Sequence, residues 1–447
     1  MGHAGTLARL VETSLYVPYT RAVSEPRNVL DDRRVDGDRL LARLDELAAI
    51  GAIQGANGEP GCARLALSDE DRAGRDLVVT WMYDLGLNVR IDAIGNVVGV
   101  WPAADGSIDA PVMTGSHIDT VRTGGRFDGN LGVLAGLSVI EAVATARMAT
   151  KRPLGVAFFT NEEGARFSPD MMGSLVYVGV MTAEEAYDVT GIDGTRVGDE
   201  LLRIGYRGPT PCPGPAPYAF VELHIEQGPV LEAEGMRIGA VTGVQGISWQ
   251  ELTITGESNH AGTTPMNLRH DAGYAAARIA TFVRALALEM GSPHVGTVGM
   301  LSLQPNLVNV VAASAVLTVD LRNTDEARLV ESETRLTRFQ RELEHDEGVT
   351  ITSRKLARFE PVAFDERMIA LVERTAQGLG NSVRRMPSGA GHDAQMLARV
   401  CPTAMIFTQS HNGISHNPAE FTEPADLVMG ADILLRVMLE LSEGPAL

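Results

Sequence analysis

His117, Asp119 and Asp128 fall in one short stretch, MTGSHIDTVRTGGRFDGNLGVLAG, residues 113–136. An imidazole nitrogen and a carboxylate are both metal donors, and one carboxylate can bridge two cations. The apolar residues before His117 predict a strand, the glycines after it a loop, and the run from about Asn130 a helix. That order places side chains in the crevice at the strand ends of an open α/β sheet. Asp119 lies two residues past His117, on the same face of an extended segment. It is expected to accept the second ring N–H of His117 and so fix its tautomer. The plainer alternative is a strand, loop and helix whose polar residues are satisfied locally.

Three other segments carry donors just past apolar strands. Glu162 and Glu163 follow LGVAFF, His224 closes FVELH, and His416 lies in HNGISHNP after AMIF. Singly, each has a bland reading: a solvated helix start, a core hydrogen-bonder, a turn residue. Together they give three imidazoles and two or three carboxylates with no thiolate, a set suited to Zn²⁺, Mn²⁺, Co²⁺ or Ni²⁺ at a catalytic site. Two divalent cations about 3.5–4 Å apart would lower the pKa of a shared water and polarise a carbonyl. With Glu163 as a ligand, Glu162 is free to act as general base, passing a proton to a leaving nitrogen.

The elements that must position these residues can be read along the chain. Asp38 is a candidate N-cap for LLARLDELAAIGA, and Ser68 for a helix reaching Leu87. LNVRIDAIGNVVGVWP reads as a strand hairpin, and Leu154–Thr160 and Ala219–Ile225 as strands. The strand–helix–strand order from Met113 to Thr160 predicts a right-handed parallel crossover. Short helices are expected between Ser168 and Tyr206, and GPTPCPGPAP (208–217) is a stiff loop. After Gly235 the texture changes. Alternating strands at 249–255, 296–304, 313–322 and 349–358 enclose helices at 271–290 and 324–344, a pattern for a small α+β module. The first texture then returns, with helices at 366–379 and up to Val400, a strand at 403–408, and a last helix from Ala425. The reading is an inserted domain, 243–356, in a discontinuous domain made of 1–242 and 357–447.

Composition sets bounds. The chain has 447 residues, 45% hydrophobic and 21% charged, enough for at least two cores. Its formal charge of −19 argues against nucleic acid or an anionic membrane as partner. The three cysteines, Cys62, Cys212 and Cys401, form no ligand pair or framework and point to a reducing cytoplasm. No secretory signal or membrane-spanning run is visible, and the first thirty-odd residues show no clear pattern.

The motifs GSHIDTV…GGRFDGNLGVLAG, NEEGARF, LHIEQGP, SNHAGTTPM, SGAGHDA and GISHNPAE, in order and at sensible spacings from about Leu41 to Glu440, resemble one family. It is the dinuclear-metal amidohydrolases related to the zinc exopeptidases, the group of N-carbamoyl-L-amino acid hydrolases, β-ureidopropionases and allantoate amidohydrolases. The resemblance implies a zinc-exopeptidase-like α/β catalytic domain with a mixed, mainly parallel sheet. It also implies a ferredoxin-like α+β insert that serves as lid and homodimer interface. It implies two metal ions, Zn²⁺ first, with Mn²⁺, Co²⁺ or Ni²⁺ as alternatives. His117, Asp128 and His224 match the ligands of one ion; Asp128, Glu163 and His416 match those of the other. Glu162 matches the base. His260 matches an oxyanion-stabilising histidine that often reaches across from the neighbouring subunit.

Asn309 and Arg322 match residues that grip the substrate carboxylate, which a planar guanidinium does well. An ion pair at a strand end is the alternative for Arg322. Gln227 matches a residue at the ureido group, and Gly389, Ala390 and Gly391 a loop offering backbone contacts. His392 and Asp393 receive no role, and His3, His270, His294 and His345 read as surface or capping residues. The implied reaction is hydrolysis of an N-carbamoyl-L-amino acid to amino acid, ammonia and CO₂. Allantoate or β-ureido acid hydrolysis is the nearest alternative, and a di-metal aminoacylase or dipeptidase the next. Lid closure about a hinge near Gly243 and Leu356 is expected to govern turnover.

Overall fold

The computed structural model describes residues 33–445. His3 and the unpatterned first thirty residues lie outside that range. The chain enters on α1 (Gly37–Ala48), capped by Asp36, whose side chain accepts from Arg39 N; Asp38, expected as the cap, sits instead in the first turn. A small hairpin, β1 (Ala52–Gln54) and β2 (Pro60–Cys62), precedes α2 (Asp69–Asp84), capped by Ser68 as its spacing predicts. The hairpin β3 (Asn88–Ile91) and β4 (Val97–Trp101) then leads to β5 (Val112–His117), α3 (Asn130–Thr145) and β6 (Leu154–Phe159). Three short helices follow, α4 (Met172–Tyr177), α5 (Ala183–Asp188) and α6 (Val197–Ile204). Next come β7 (Ala219–Ile225), the short α7 (Val230–Ala233) and β8 (Ile238–Val244).

From Gly246 the chain builds a separate four-stranded antiparallel sheet. Its elements are β9 (Gly246–Thr255), α8 (Ala272–Met290), β10 (Val295–Gln304), β11 (Ser314–Asn323), α9 (Glu326–Glu347) and β12 (Thr350–Phe359), in strand order β10-β11-β9-β12. Alternate residues of β11 are buried against α8 and α9. One apolar cluster including Leu252, Ile279, Leu317 and Leu336 fills the space between. The remaining elements are β13 (Val362–Ala363), α10 (Glu366–Gly378), β14 (Val383–Ser388), α11 (Asp393–Leu397), β15 (Thr403–Thr408) and α12 (Pro424–Glu443).

Of these, β13, β14 and β15 join β3 to β8 in a nine-stranded sheet, order β13-β8-β15-β7-β5-β6-β4-β3, with β14 beside β8. The pairs β15–β7, β7–β5 and β5–β6 are parallel, while β8–β15 and β4–β6 are antiparallel. The sheet is therefore mixed, with a parallel centre. Strands β5, β6, β7 and β15 are buried at every residue, as strands covered on both faces must be. Sequence patterning misses β8 and β14. The first (IGAVTGV) is interrupted by two glycines, and the second (VRRMPS) contains Pro387, which cannot donate to a ladder. The chain leaves this sheet at Gln245 and returns at Pro361. The expected boundaries, Gly243 and Leu356, fall inside β8 and β12.

Candidate metal centre

Because β5, β6, β7 and β15 run parallel, their C-terminal ends share one edge of the sheet. His117 is the last residue of β5 and His224 lies near the end of β7. Glu162 and Glu163 follow β6, and His416 lies in the loop after β15. Asp128 sits one residue before Gly129, the left-handed (φ 66°) residue that starts α3. A Cβ at Gly129 would come within 2.4 Å of the His117 ring, so no other residue fits there without displacing the imidazole. Gly132 serves the same end one turn further along, letting α3 press against β7 with only 2.5 Å between its missing Cβ and Leu223 O.

Asp128 stands at the middle. Its Oδ1 lies 3.5 Å from His117 Nε2 and 3.2 Å from His224 Nε2. Its Oδ2 lies 3.5 Å from His416 Nε2, which is in turn 3.2 Å from Glu163 Oε2. One donor atom each from His117, Asp128 and His224 fits within 4.8 Å, and so does one each from Asp128, Glu163 and His416. Two triplets therefore share one carboxylate. Glu162 is nearby, with Oε2 3.4 Å from His117 Nε2.

The donor set suits a cation. His117 Nδ1 donates to Asp119 O (2.9 Å) and His224 Nδ1 to Ile225 O (2.8 Å). Both rings thus turn a lone-pair Nε2 toward Asp128, and His117 Nε2 faces a second carboxylate oxygen on Glu162. Lone pairs facing carboxylates repel unless positive charge stands between them. The local potential agrees. Burial opposes a charge on His117, but Glu162, Asp128, Asp119 and Glu163 outweigh it and raise the ring's proton affinity well above normal. His416, hydrogen-bonded to Glu163, is pushed up to about 9. Glu162 is held well above the ordinary carboxylate range by burial and by its acidic neighbours Asp393, Glu163 and Asp128.

The predicted role of the Asp119 carboxylate needs correction. The His117 ring is held by the backbone carbonyl of Asp119, not by its side chain. The chain turns after β5, so the two-residue spacing no longer places both side chains together. The carboxylate instead accepts Glu162 N and Glu163 N, each at 3.3 Å, and orients the turn after β6.

Gln227, at φ 57°, donates from Nε2 to Asp128 Oδ2 at 2.7 Å, while its Oε1 is buried without a partner. Arg322 forms a forked pair with Asp320 and donates from Nη1 to Gly389 O at 2.5 Å. Gln227, Arg322, Gly389 and Ala390 line a cleft of about 870 Å³ between the two sheets. Gly391 packs beneath it against Met171. His260 and Asn309 are not drawn to the five donors. His260 is exposed, accepts from Gly262 N and Thr263 N, and pairs with Val310, while Asn309 O accepts from Ala261 N. Of the residues read as surface or capping, His270 is exposed and bonds Glu347 O, whereas His294 is buried against Asn323.

Several contributors escape the sequence reading. Glu420 is buried, accepts Phe127 N and Asp128 N, and is pushed up to about 7 by burial and by Asp128. Ser415 Oγ donates to Asp128 Oδ2 at 2.9 Å and reaches Glu420 Oε2 at 3.1 Å. Both belong to GISHNPAE, so the motif holds the signal, but only His416 stands out there by residue type. His392 bonds Ser388 Oγ and meets the His224 ring edge-on at 4.6 Å. Burial and the neighbouring His224 depress its proton affinity, so it is a neutral wall of the centre.

Residues 113–440 match the family described as Peptidase family M20/M25/M40. The chain is 41% identical over 414 residues to the N-carbamoyl-L-amino-acid amidohydrolase of Rhizobium meliloti, covering 92% of this chain and 98% of that protein. It is 37% identical over 390 residues to the allantoate amidohydrolase of Escherichia coli K12, covering 87% and 95%. The crystal structure of an amidase of the hydantoinase/carbamoylase family from Burkholderia multivorans superposes with a TM-score of 0.89 at 43% identity, covering 92% and 99%.

Proposed function

This chain belongs to peptidase family M20/M25/M40, and from that premise we propose that it hydrolyses the ureido C–N bond of an N-carbamoyl-L-amino acid. The products are the amino acid, ammonia and CO₂. The observation that carries this reading is the single carboxylate, Asp128, shared by two donor triplets with Glu162 beside them. His117, Asp128 and His224 hold one divalent cation, and Asp128, Glu163 and His416 the other. Zn²⁺ is preferred, with Mn²⁺, Co²⁺ or Ni²⁺ as alternatives. When bound, such a pair acidifies a water and polarises the substrate carbonyl.

The chain's own side chains do the rest. Glu162 takes the proton of the attacking water and returns it to the leaving nitrogen, a role that its place beside His117 Nε2, 3.4 Å away, suits. Asp119 holds the backbone of Glu162 and Glu163 in register. The unpartnered Oε1 of Gln227 is an acceptor that a ureido N–H would satisfy. Arg322 and Asn309 receive the substrate carboxylate, and the backbone of Gly389, Ala390 and Gly391 lines its path. His260 stabilises the oxyanion from a second copy of the chain, in a homodimer formed through the lid, which spans the elements β9 to β12 between Gln245 and Pro361. Its exposure and its absence from both donor triplets favour this assignment. Lid closure turns on Gln245 and Pro361, where the chain passes between sheets.

Allantoate, or a β-ureido acid, is the second reading, favoured by the 37% identity to the Escherichia coli enzyme. Comparing kcat/KM of metal-reconstituted protein for N-carbamoyl-L-methionine, β-ureidopropionate, allantoate, N-acetyl-L-methionine and a dipeptide decides between them. The highest value is expected for N-carbamoyl-L-methionine. Turnover confined to the last two substrates contradicts the proposal and points to an aminoacylase or dipeptidase.

A further inference from the structure

Arg64 is fully buried, yet among the described residues no carboxylate pairs with it. Its guanidinium donates only to neutral acceptors. Nε reaches Ile118 O, Nη1 reaches Leu47 O and Ile50 O, and Nη2 reaches Asn130 Oδ1, all at 2.8 Å, and Nη1 also meets the Cys62 thiol at 3.2 Å. The backbone is joined to the same region, with Arg64 N donating to Thr120 Oγ1 at 2.8 Å and Thr120 N to Arg64 O at 2.9 Å. A buried cation without an anion is costly unless dipoles replace the water it has lost. Leu47 and Ile50 supply them, because their carbonyls lie at the C-terminal, negative end of α1.

Two of these contacts fall beside proposed metal ligands. Ile118 directly follows His117, and Asn130 lies two residues after Asp128. The two ligands belong to separate segments, the end of β5 and the turn into α3, joined by a loop containing Gly124 and Gly125. One planar group bonds both segments and braces them against α1. The packing makes room for it. A Cβ on Gly74, inside α2, would lie 2.9 Å from Arg64 Cδ, so the helix forgoes about 1 kcal/mol of propensity where the arginine stem passes.

We propose that Arg64 is a positioning residue for the metal centre: it fixes the separation of His117 and Asp128 and thereby the affinity for the cation they share. This rests on the reading that His117, Asp128 and His224 bind a divalent ion. Lysine cannot replace the arginine, since a single ammonium nitrogen cannot serve three diverging segments at once.

The test is Zn²⁺ affinity of chelator-stripped protein, measured by competition with a chromophoric chelator. It compares wild type, Arg64→Lys, Asn130→Ala and the control Arg152→Lys. Arg152 also bonds backbone carbonyls, Leu441 O and Gly444 O, but these lie at the end of α12. Arg64→Lys and Asn130→Ala should each weaken Zn²⁺ binding about 10–100-fold with unchanged far-UV circular dichroism. Arg152→Lys should lower Tm and leave the Zn²⁺ Kd alone. If Arg64→Lys fails to fold, Asn130→Ala decides, because it removes the Nη2 link and, besides it, one bond from Asn130 Nδ2 to Arg126 O at 3.2 Å. Wild-type affinity in both Arg64→Lys and Asn130→Ala, or an equal loss in Arg152→Lys, overturns the inference. Failure of the wild type to bind Zn²⁺ overturns the reading of the centre instead.

Discussion

Glu162 Oε2 lies 3.4 Å from His117 Nε2, so the proposed base and a proposed ligand meet at one point. If Glu162 only moves protons, Glu162→Gln should lower kcat by about 10²–10⁴-fold. The amount of metal bound at saturation should not change. Loss of metal together with activity would make Glu162 a ligand. Metal analysis of the purified variant beside its kinetics separates these outcomes.

Asp119 gives each carboxylate oxygen to a different backbone amide, Glu162 N and Glu163 N. In Asp119→Asn one of those amides would face an NH₂ donor. The turn carrying the proposed base and ligand should loosen, lowering both kcat/KM and metal affinity about 10–100-fold. Had the side chain fixed the His117 tautomer instead, asparagine would preserve function through its carbonyl oxygen. Titrating metal into both proteins distinguishes the two.

Much of the centre is legible in the sequence, and the reason is local. Ligand-type residues at the ends of apolar runs are grouped by any parallel sheet, which is why His117, Asp128, Glu163, His224 and His416 can be named together. What cannot be read depends on long-range or turned contacts. Arg64 meets Asn130 across 66 residues, and Glu420 meets Phe127 across 293. Spacing misplaces the Asp119 side chain because β5 ends at His117, two residues before it. Strands β8 and β14 carry too few apolar residues in alternation to announce themselves, although they complete one half of the sheet.

Arg322 is forked onto Asp320 and reaches Gly389 O across the cleft. As the grip on a substrate carboxylate, it should not tolerate lysine, which lacks the planar fork. Arg322→Lys should raise KM for N-carbamoyl-L-methionine about tenfold or more with a smaller change in kcat. The primary-amide analogue of that substrate should show no such difference between the two proteins. Unchanged KM with a lowered Tm would restrict Arg322 to a structural pair with Asp320.

Asp92 is buried and accepts Ile94 N, Asn96 N and Asn96 Nδ2. Burial outweighs these bonds and pushes its carboxyl up to about 6 from 3.8. Below about 3.8 it is protonated whether folded or not; above about 6 it is ionised in both states and the folded state bears the desolvation. Its contribution to stability therefore falls as pH rises between these values, by roughly 3 kcal/mol. Asp92→Asn should flatten the stability profile over that window in denaturant titrations at several pH values. An unchanged slope would contradict the assignment. The link to the centre is Asn96, whose Oδ1 accepts Thr160 N just before Glu162.

The five scattered side chains His117, Asp128, Glu163, His224 and His416 are proposed to enclose a pair of cations. Crystals grown with Zn²⁺ and measured on both sides of the zinc absorption edge test it directly. Two anomalous peaks are predicted, one among His117, Asp128 and His224 and one among Asp128, Glu163 and His416. Peaks confined to surface histidines, with none touching Asp128, would contradict the account.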